Sequence, residues 1–364
     1  AKRTTRVGRS RTSNFTQNTK TMKHWKTIAA SAFLILGCYA ASAQDCIVND
    51  PNLQGKYRGD CPGGYANGKG KAKGRHTYKG EFHNGNKEGE GKLKMPGEGK
   101  YKGMFYEDQY HGQGKLSWET GAEYEGEWKE GKRHGQGVME YADGEIYEGQ
   151  WANDQRNGHG VQEIGKEVYK GQWKDDQRHG QGRCEFENGD VYEGTWKNGK
   201  MSGQGSYTWD SGSTYTGEWE NGQRHGQGTF TLIEKQGLLA GASKTEEYTG
   251  EWRNDQPHGQ GKKHWFVSGA EQPPHTYTGN WENGEMNGYG KFKWPKPIDS
   301  PDEQRHSGAV YRGEFINNQM TGKGIKTYDG NSFVKAGAWR NGRFVEAAPE
   351  DRVRRALEGY PEFE

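Results

Sequence analysis

The sequence predicts an all-β protein: an elongated single-layer antiparallel sheet built from about twelve stacked β-hairpin repeats, with a short capping helix at its C-terminal end. Three observations predict this. A unit of about 23 residues recurs with almost no drift, apolar and polar residues alternate with period 2 inside it, and 59 glycines among 364 residues accompany 13 Trp, 20 Tyr and 12 Phe. Apolar residues make up only 29% and mean hydropathy is −1.24, poor material for one large core. Disordered chains usually lack such aromatics, so the rings are expected in thin local cores repeated along the chain.

Five segments follow from the N-terminus onward. Residues 1–21 lie upstream of Met22, are expected to be disordered upstream or non-native sequence, and are set aside from fold reasoning. Residues 22–43 have the layout of a secretory signal peptide: Lys23 and Lys26, an apolar stretch from Ile28 to Gly37, then Ala41-Ser42-Ala43 with cleavage expected after Ala43. The apolar stretch is about half of the ~20 residues a membrane-spanning helix needs. Ile35-Leu36-Gly37-Cys38 also resembles a bacterial lipobox in which Cys38 would be lipidated, although Leu36 fits that pattern poorly. Export to a bacterial periplasm, cell surface or medium is therefore expected. Residues 44–56 are read as an N-terminal cap, 57–344 as the repeat array, and 345–364 as a tail with a short helix, in which Val353 and Leu357 stand four residues apart and Gly359 is the stop.

Residues 1–43 hold eight Lys/Arg and no Asp/Glu, so their removal leaves 43 Lys+Arg against 49 Asp+Glu, a charge of −6. A mildly acidic chain without a basic tail does not favour counterion-release binding to phosphates, and no nucleic-acid partner is expected. Of the three remaining cysteines, Cys46 and Cys61 are a candidate disulfide pair at the cap, which export permits. Cys184 stands where other units have Leu116, Met139, Tyr207 and Phe230, and is read as a small core residue.

The repeat reads Tyr-x-Gly-x-Trp/Phe, then a turn, then Gly-x-Gly. It starts at Tyr57, Tyr78, Tyr101, Tyr124, Tyr147, Tyr169, Tyr192, Tyr215, Tyr248, Tyr277 and Tyr311, with a degenerate twelfth unit around Gly337, Trp339 and Gly342. In the unit from Tyr124, the alternation of Tyr124, Gly126 and Trp128 with Glu125 and Glu127 marks a strand with one apolar face. Glu130-Gly131-Lys132 supplies the turn, Gly135 to Tyr141 the second strand, and Ala142-Asp143-Gly144 the link to the next unit. Glycines between the rings leave room for Tyr and Trp to lie flat. One hairpin is marginal alone, and stacking lets each bury its neighbour's face. The core positions Tyr124, Gly126, Trp128, Tyr147, Trp151, Tyr169, Trp173, Tyr192, Trp196, Tyr215 and Trp219 are read as structural.

With Tyr-x-Gly-x-Trp, His-Gly-x-Gly and a 23-residue period, the stretch from Tyr57 to Phe344 resembles the MORN family, named for membrane occupation and recognition nexus. The resemblance implies protein scaffolding, often through self-association, and a disputed association with membrane lipid; it brings no catalytic residues. This chain departs from the pattern at Cys61, which replaces the Trp/Phe of the first unit. It departs again where spacing grows to 33, 29 and 34 residues, around Ile233 to Glu247, Phe266 to His275 and Pro295 to Ser307. These insertions are expected to be longer loops at one edge of the sheet and the place to look for specificity.

Candidate chemistry is sparse. His111, His134, His179, His225 and His258 occupy one column, but equivalent positions in two-stranded repeats sit about 10 Å apart, too far to share a zinc whose ligands lie about 2.0–2.1 Å from it. They are read as consensus turn residues, and no metal or cofactor is expected. Gly126 to Lys132 and Gly194 to Lys200 are near-matches to a phosphate loop, yet Arg133 and Met201 stand where Ser/Thr is required. Asp60, Glu81, Glu127, Glu218, Glu251 and Glu314 are read as a solvated strand face that discourages aggregation. The expected function is non-enzymatic binding or scaffolding of a protein partner, self-association included. The alternatives are membrane lipid association, and glycan binding on exposed rings of Trp128, Trp173 and Trp219.

Overall fold

A computed structural model describes residues 46–235, 242–266, 274–295, 308–328 and 333–360. The signal segment 22–43, with Cys38 and Ala43, residues 1–21 and the tips of the three insertions lie outside the described residues. The described chain forms one long open antiparallel sheet of 24 strands, from Lys56 to Ala347, followed by the helix Glu350–Leu357. Each strand pairs with its neighbours in sequence; Glu123–Lys129, for instance, lies between Gln109–Trp118 and Lys132–Glu140.

Turn chemistry sets the hairpins. The two residues joining paired strands both adopt positive φ: Glu130 and Gly131 at 52° and 76°, Asn153 and Asp154 at 51° and 70°, Asn221 and Gly222 at 54° and 87°. This is the type I′ geometry, whose twist matches that of the strands it joins, and Asn, Asp and Gly tolerate it best. The first hairpin differs, because a longer connection joins Lys56–Asp60 to Asn67–Lys73. There Cys61 forms a disulfide with Cys46, with Cα atoms 5.9 Å apart. The segment after Cys46 is tied down by Ile47 N–H to the Gly64 carbonyl at 2.8 Å and Asn49 N–H to the Gly85 carbonyl at 2.9 Å, and buries Val48 and Leu53. The cap thus covers the sheet edge where the first unit lacks its large ring.

The core is a single file of rings on one face. Tyr124 meets Trp128 of its own unit edge-to-face at 5.0 Å and Trp151 of the next at 5.5 Å; Tyr147 repeats this with Trp151 at 5.1 Å and Trp173 at 5.3 Å. The zigzag continues without a break to Tyr311 and Trp339, and its central tyrosines are fully buried. Such burial on a single-layer sheet requires the rings to lie on the backbone. A Cβ on Gly126 would come within 2.5 Å of the Gln136 carbonyl oxygen and of Gly137 Cα, so the strands approach as closely as only glycine allows.

The second strand also carries an irregularity that alternation does not reveal. It starts at Lys132, not Gly135, and Gly126 pairs with Gly137 while the next residue, Glu127, pairs with His134. Gly135 and Gln136 form a bulge, with Gly135 at φ +55°.

The helix lies on the face opposite the rings. Val353 and Leu357 are buried against Ile325 and Ala336, and Tyr360 stacks on Tyr289 at 3.6 Å. Ile325 pairs with Arg312 and Ala336, positions that alternate with Tyr311. The helix therefore covers the outer face of the last units.

The first insertion is less loop-like than expected. The strands Gln223–Lys235 and Ala242–Arg253 stay paired out to Lys235 and Ala242, so the first insertion is largely a lengthened hairpin. Trp265 pairs with His275 at the base of the second, and Trp294 N–H donates to the Ala309 carbonyl at 2.9 Å at the base of the third. In the first, backbone pairing continues because each lengthened strand satisfies its neighbour's hydrogen-bonding groups.

Two stability outcomes follow. Gly126→Ala should lower local stability by about 3 kcal/mol, read as faster hydrogen exchange across Glu123–Lys129 and Lys132–Glu140. Glu130→Asn, which suits the left-handed turn position better, should stabilise by about 0.5–1 kcal/mol and raise the thermal midpoint.

Candidate functional site

The positions singled out in the sequence are placed as follows. Tyr124, Tyr147, Tyr169, Tyr192 and Tyr215 are fully buried, and Trp128, Trp173 and Trp219 are 5%, 4% and 6% exposed, so these rings form no open stacking platform. Each Tyr hydroxyl donates to the carbonyl three residues on, as Tyr124 does to Glu127 at 3.0 Å, and each indole N–H reaches back to the previous unit, as Trp128 does to the Gly114 carbonyl at 3.1 Å. Burial raises these phenols above their ordinary value, Tyr192 to about 12, and keeps them neutral donors. Cys184 is buried, and burial pushes its thiol up to about 11.

In the acidic column Asp60 and Glu81 are exposed, while the other four are tied to the backbone, which a solvated strand face does not require. Glu127 accepts the Gln136 N–H at 2.9 Å, Glu218 the Gln227 N–H at 3.0 Å, Glu251 the Gln260 N–H at 3.0 Å and Glu314 the Lys323 N–H at 3.2 Å. Gln150 and Gln172 do the same with amide oxygens, so an acceptor suffices and charge is not needed. These side chains take up the backbone N–H that the bulge leaves without a ladder partner. A Cβ on Gly135 would meet the Glu127 carboxylate at 2.4 Å, and the glycines after the five column histidines all hold φ between 54° and 60°, which explains the residue type there. The histidines mark these bulges, and among the described residues no three His, Cys, Asp or Glu are grouped to hold a metal.

A functional contact absent from the sequence reading is an arginine clamp between units. Arg133 lies over the Trp151 ring at 4.2 Å while Nε donates to the Asp154 carboxylate at 3.1 Å and Nη2 to the Asp154 carbonyl at 2.8 Å. Arg156 repeats it on Trp173 with Asp176, and Arg224 on Trp252 with Asp255. The signal was there in the basic residue before His/Asn-Gly and the turn Asp of the next unit, but they lie 20 to 31 residues apart and meet only when units stack.

The clamp is absent where Met201 and Pro257 stand in place of the arginine. Beside Pro257 lies a depression of about 300 Å³, lined by Arg224, Phe230, Trp252, Pro257, Lys263 and Trp281. Around it the inner face carries a second aromatic row that is only partly buried. Phe186 stacks with Tyr207 at 5.8 Å, Trp209 meets Phe230 at 5.5 Å, and Trp265 stacks with Phe292 at 5.7 Å. Phe292 also meets Trp294 at 4.5 Å, and the buried Lys326 amine, lowered to about 8 by burial, lies 3.9 Å from the Trp294 ring. Trp265 and Trp294 stand at the bases of the second and third insertions. The surface is therefore aromatic, partly buried, and set on strands.

The family model described as MORN repeat matches ten segments of the chain: residues 78–99, 101–123, 124–146, 147–164, 169–191, 192–214, 215–232, 248–267, 277–296 and 311–332. The hairpins beginning at Lys56 and Phe333 extend the same sheet beyond these matches on both sides. No curated protein matches the chain. A solved structure described as "Streptogramin B lyase structure" aligns with 67% of this chain and 80% of its own at 11% identity, with a TM-score of 0.14, and carries no argument.

Removing the clamp tests how units are joined. Arg133→Ala should weaken the contact between the units of Tyr124 and Tyr147 by about 1–2 kcal/mol, seen as faster exchange in Ile146–Ala152. Arg133→Lys should recover little of it, because an ammonium cannot stack flat while donating to both Asp154 oxygens.

Proposed function

Because the chain belongs to the MORN repeat family, we propose that it is a non-enzymatic binding scaffold that holds a protein partner on the inner aromatic face of its C-terminal half. The observation that carries this reading is the depression beside Pro257, which lies next to a row of partly exposed rings. Aromatic residues dominate the energetics of protein interfaces, and a pocket among them suits an anchoring side chain from the partner. The neighbouring Lys263 and Glu246 line the same depression and supply polar contacts that orient what enters it. The strands that lead into the three insertions border this face, and in this proposal the insertions select the partner.

Export belongs to the same proposal. A disulfide between Cys46 and Cys61 supports a working location outside the reducing cytosol, in keeping with the signal-like segment 22–43. Lipid association rests on the family alone. Glycan stacking on Trp128, Trp173 and Trp219 lacks the exposure it needs.

The test is affinity capture from the native envelope with the full chain as bait, together with size analysis for self-association. Trp265→Ala should weaken the specific capture, or the self-association, about thirtyfold, the effect of removing an interface hot spot of about 2 kcal/mol. Trp118→Ala, at the corresponding ring position of an early unit, should leave it unchanged. Neither a captured protein nor self-association, or equal loss with both variants, would sink the proposal.

A further inference from the structure

The outer face of the first three hairpins carries a line of like charges. Arg58 pairs in register with Lys71, Lys71 with Lys79, Lys79 with Lys92, Lys92 with Lys102, and Lys102 with Lys115. Six adjacent strands thus present a cation at the same position, at strand spacing of about 4.8 Å. A second row, two residues along the strands, adds Lys56, Lys73, Lys94 and Lys100. Like charges directly opposite one another destabilise a sheet, so nothing in the fold calls for this line.

Neutralisation within the chain is slight. Among the described residues, only the last of the six has its charge paired, Lys115 with Glu123 at 2.8 Å and Glu125 at 3.4 Å. The other five are exposed. Beyond Lys115 the same column turns to Glu125, Val138, Glu148 and Val161, so the line is confined to the early units. Residues 56–119 hold 13 Lys/Arg against eight Asp/Glu, and residues 120–364 hold 30 against 39. The whole-chain balance conceals this separation.

The line runs beside two adjoining depressions of about 450 Å³ each. One is floored by the backbone of Gly70, Gly80 and Gly91, the other by Leu93 and Tyr101, and Lys92 borders both. The geometry points to a binding strip for a linear anionic polysaccharide, a chain bearing one carboxylate per sugar laid across the strands. Its charges recur at a spacing of the same order as the strands, and the shallow glycine floor admits a polymer backbone. Single-stranded nucleic acid fits less well, because its non-specific sites offer stacking rings and here the rings lie on the opposite face. An anionic bilayer fits less well too: a plane of headgroups would set charge over Glu81 and Glu90 as well as over the lysines, whereas the carboxylates of a single chain can follow the lysine line.

The proposal is independent of the aromatic face and is tested separately, with the full chain and polygalacturonate fragments as probe. Retention should fall steeply with added salt and be absent on an uncharged galactan. The combined variant Lys71→Gln, Lys79→Gln, Lys92→Gln, Lys102→Gln should bind at least about tenfold more weakly, and its thermal midpoint at low salt should not fall, because repulsion has been removed. The same four positions changed to Arg should bind as the parent does, as should Lys170→Gln with Lys262→Gln and, separately, Trp265→Ala. No retention of the parent chain, undiminished retention of the Gln variant, or tighter retention of a single-stranded oligonucleotide or of phosphatidylglycerol vesicles would overturn the proposal.

Discussion

Every unit of this protein is joined to the next through an edge-to-face contact between a tyrosine and the tryptophan or phenylalanine that follows it. An aromatic pair in this orientation contributes about 0.5–1.5 kcal/mol beyond the area it buries, and nearly every tyrosine in the file makes two. Because Tyr124 touches Trp128 within its hairpin and Trp151 in the next, folding of a hairpin and docking of its neighbour draw on the same ring. The glycines beside the rings, the backbone carbonyls that accept their O–H and N–H groups, and the arginine that lies over the tryptophan all serve this contact. The bulge at Gly135 belongs to the same arrangement, since the Glu127 carboxylate takes the N–H that the bulge exposes.

A sheet of this kind has two faces with different duties. The inner face is consumed by the ring file in the early and middle units, where Arg133, Arg156 and Arg178 lie over the following tryptophans. Beside Pro257 the file itself stays buried, and binding surface appears in the depression there and in the partly buried second row of rings, without any change of fold. The outer face has no packing duty except beneath the C-terminal helix, so its residues are free to specialise by charge. They do so at the opposite end of the array, which leaves one chain with an aromatic surface late and a cationic strip early, on opposite faces.

This division also explains why bulk properties mislead. A charge of −6 for residues 44–364 argues against polyanion binding only if charge is evenly spread. Antiparallel register brings Arg58, Lys71, Lys79, Lys92, Lys102 and Lys115 into one line although they are spaced unevenly along the chain. Electrostatic recognition responds to that local line, because charges beyond a Debye length of about 8–10 Å are screened.

Much of the fold was legible in the sequence because the repeat is short and its signals are local: period-2 alternation, turn residues that tolerate positive φ, and a ring recurring every 23 residues. The core positions Tyr124, Gly126 and Trp128 could be named for the same reason. Less legible were features in which two units cooperate. The Arg133 and Asp154 clamp, the part played by Glu127 at the bulge, and the docking of Val353 and Leu357 on Ile325 each join residues whose partner depends on register. The depression at Pro257 was hidden because a proline in a polar stretch carries no sign of which side chains from four neighbouring strands surround it. The sequence alone therefore determined the hairpin, its period and its aromatic lining, since those follow from local propensity. Only tertiary structure decided which faces stay open, because a one-residue shift in strand pairing exchanges the two faces of a sheet, and that pairing is settled by stacking.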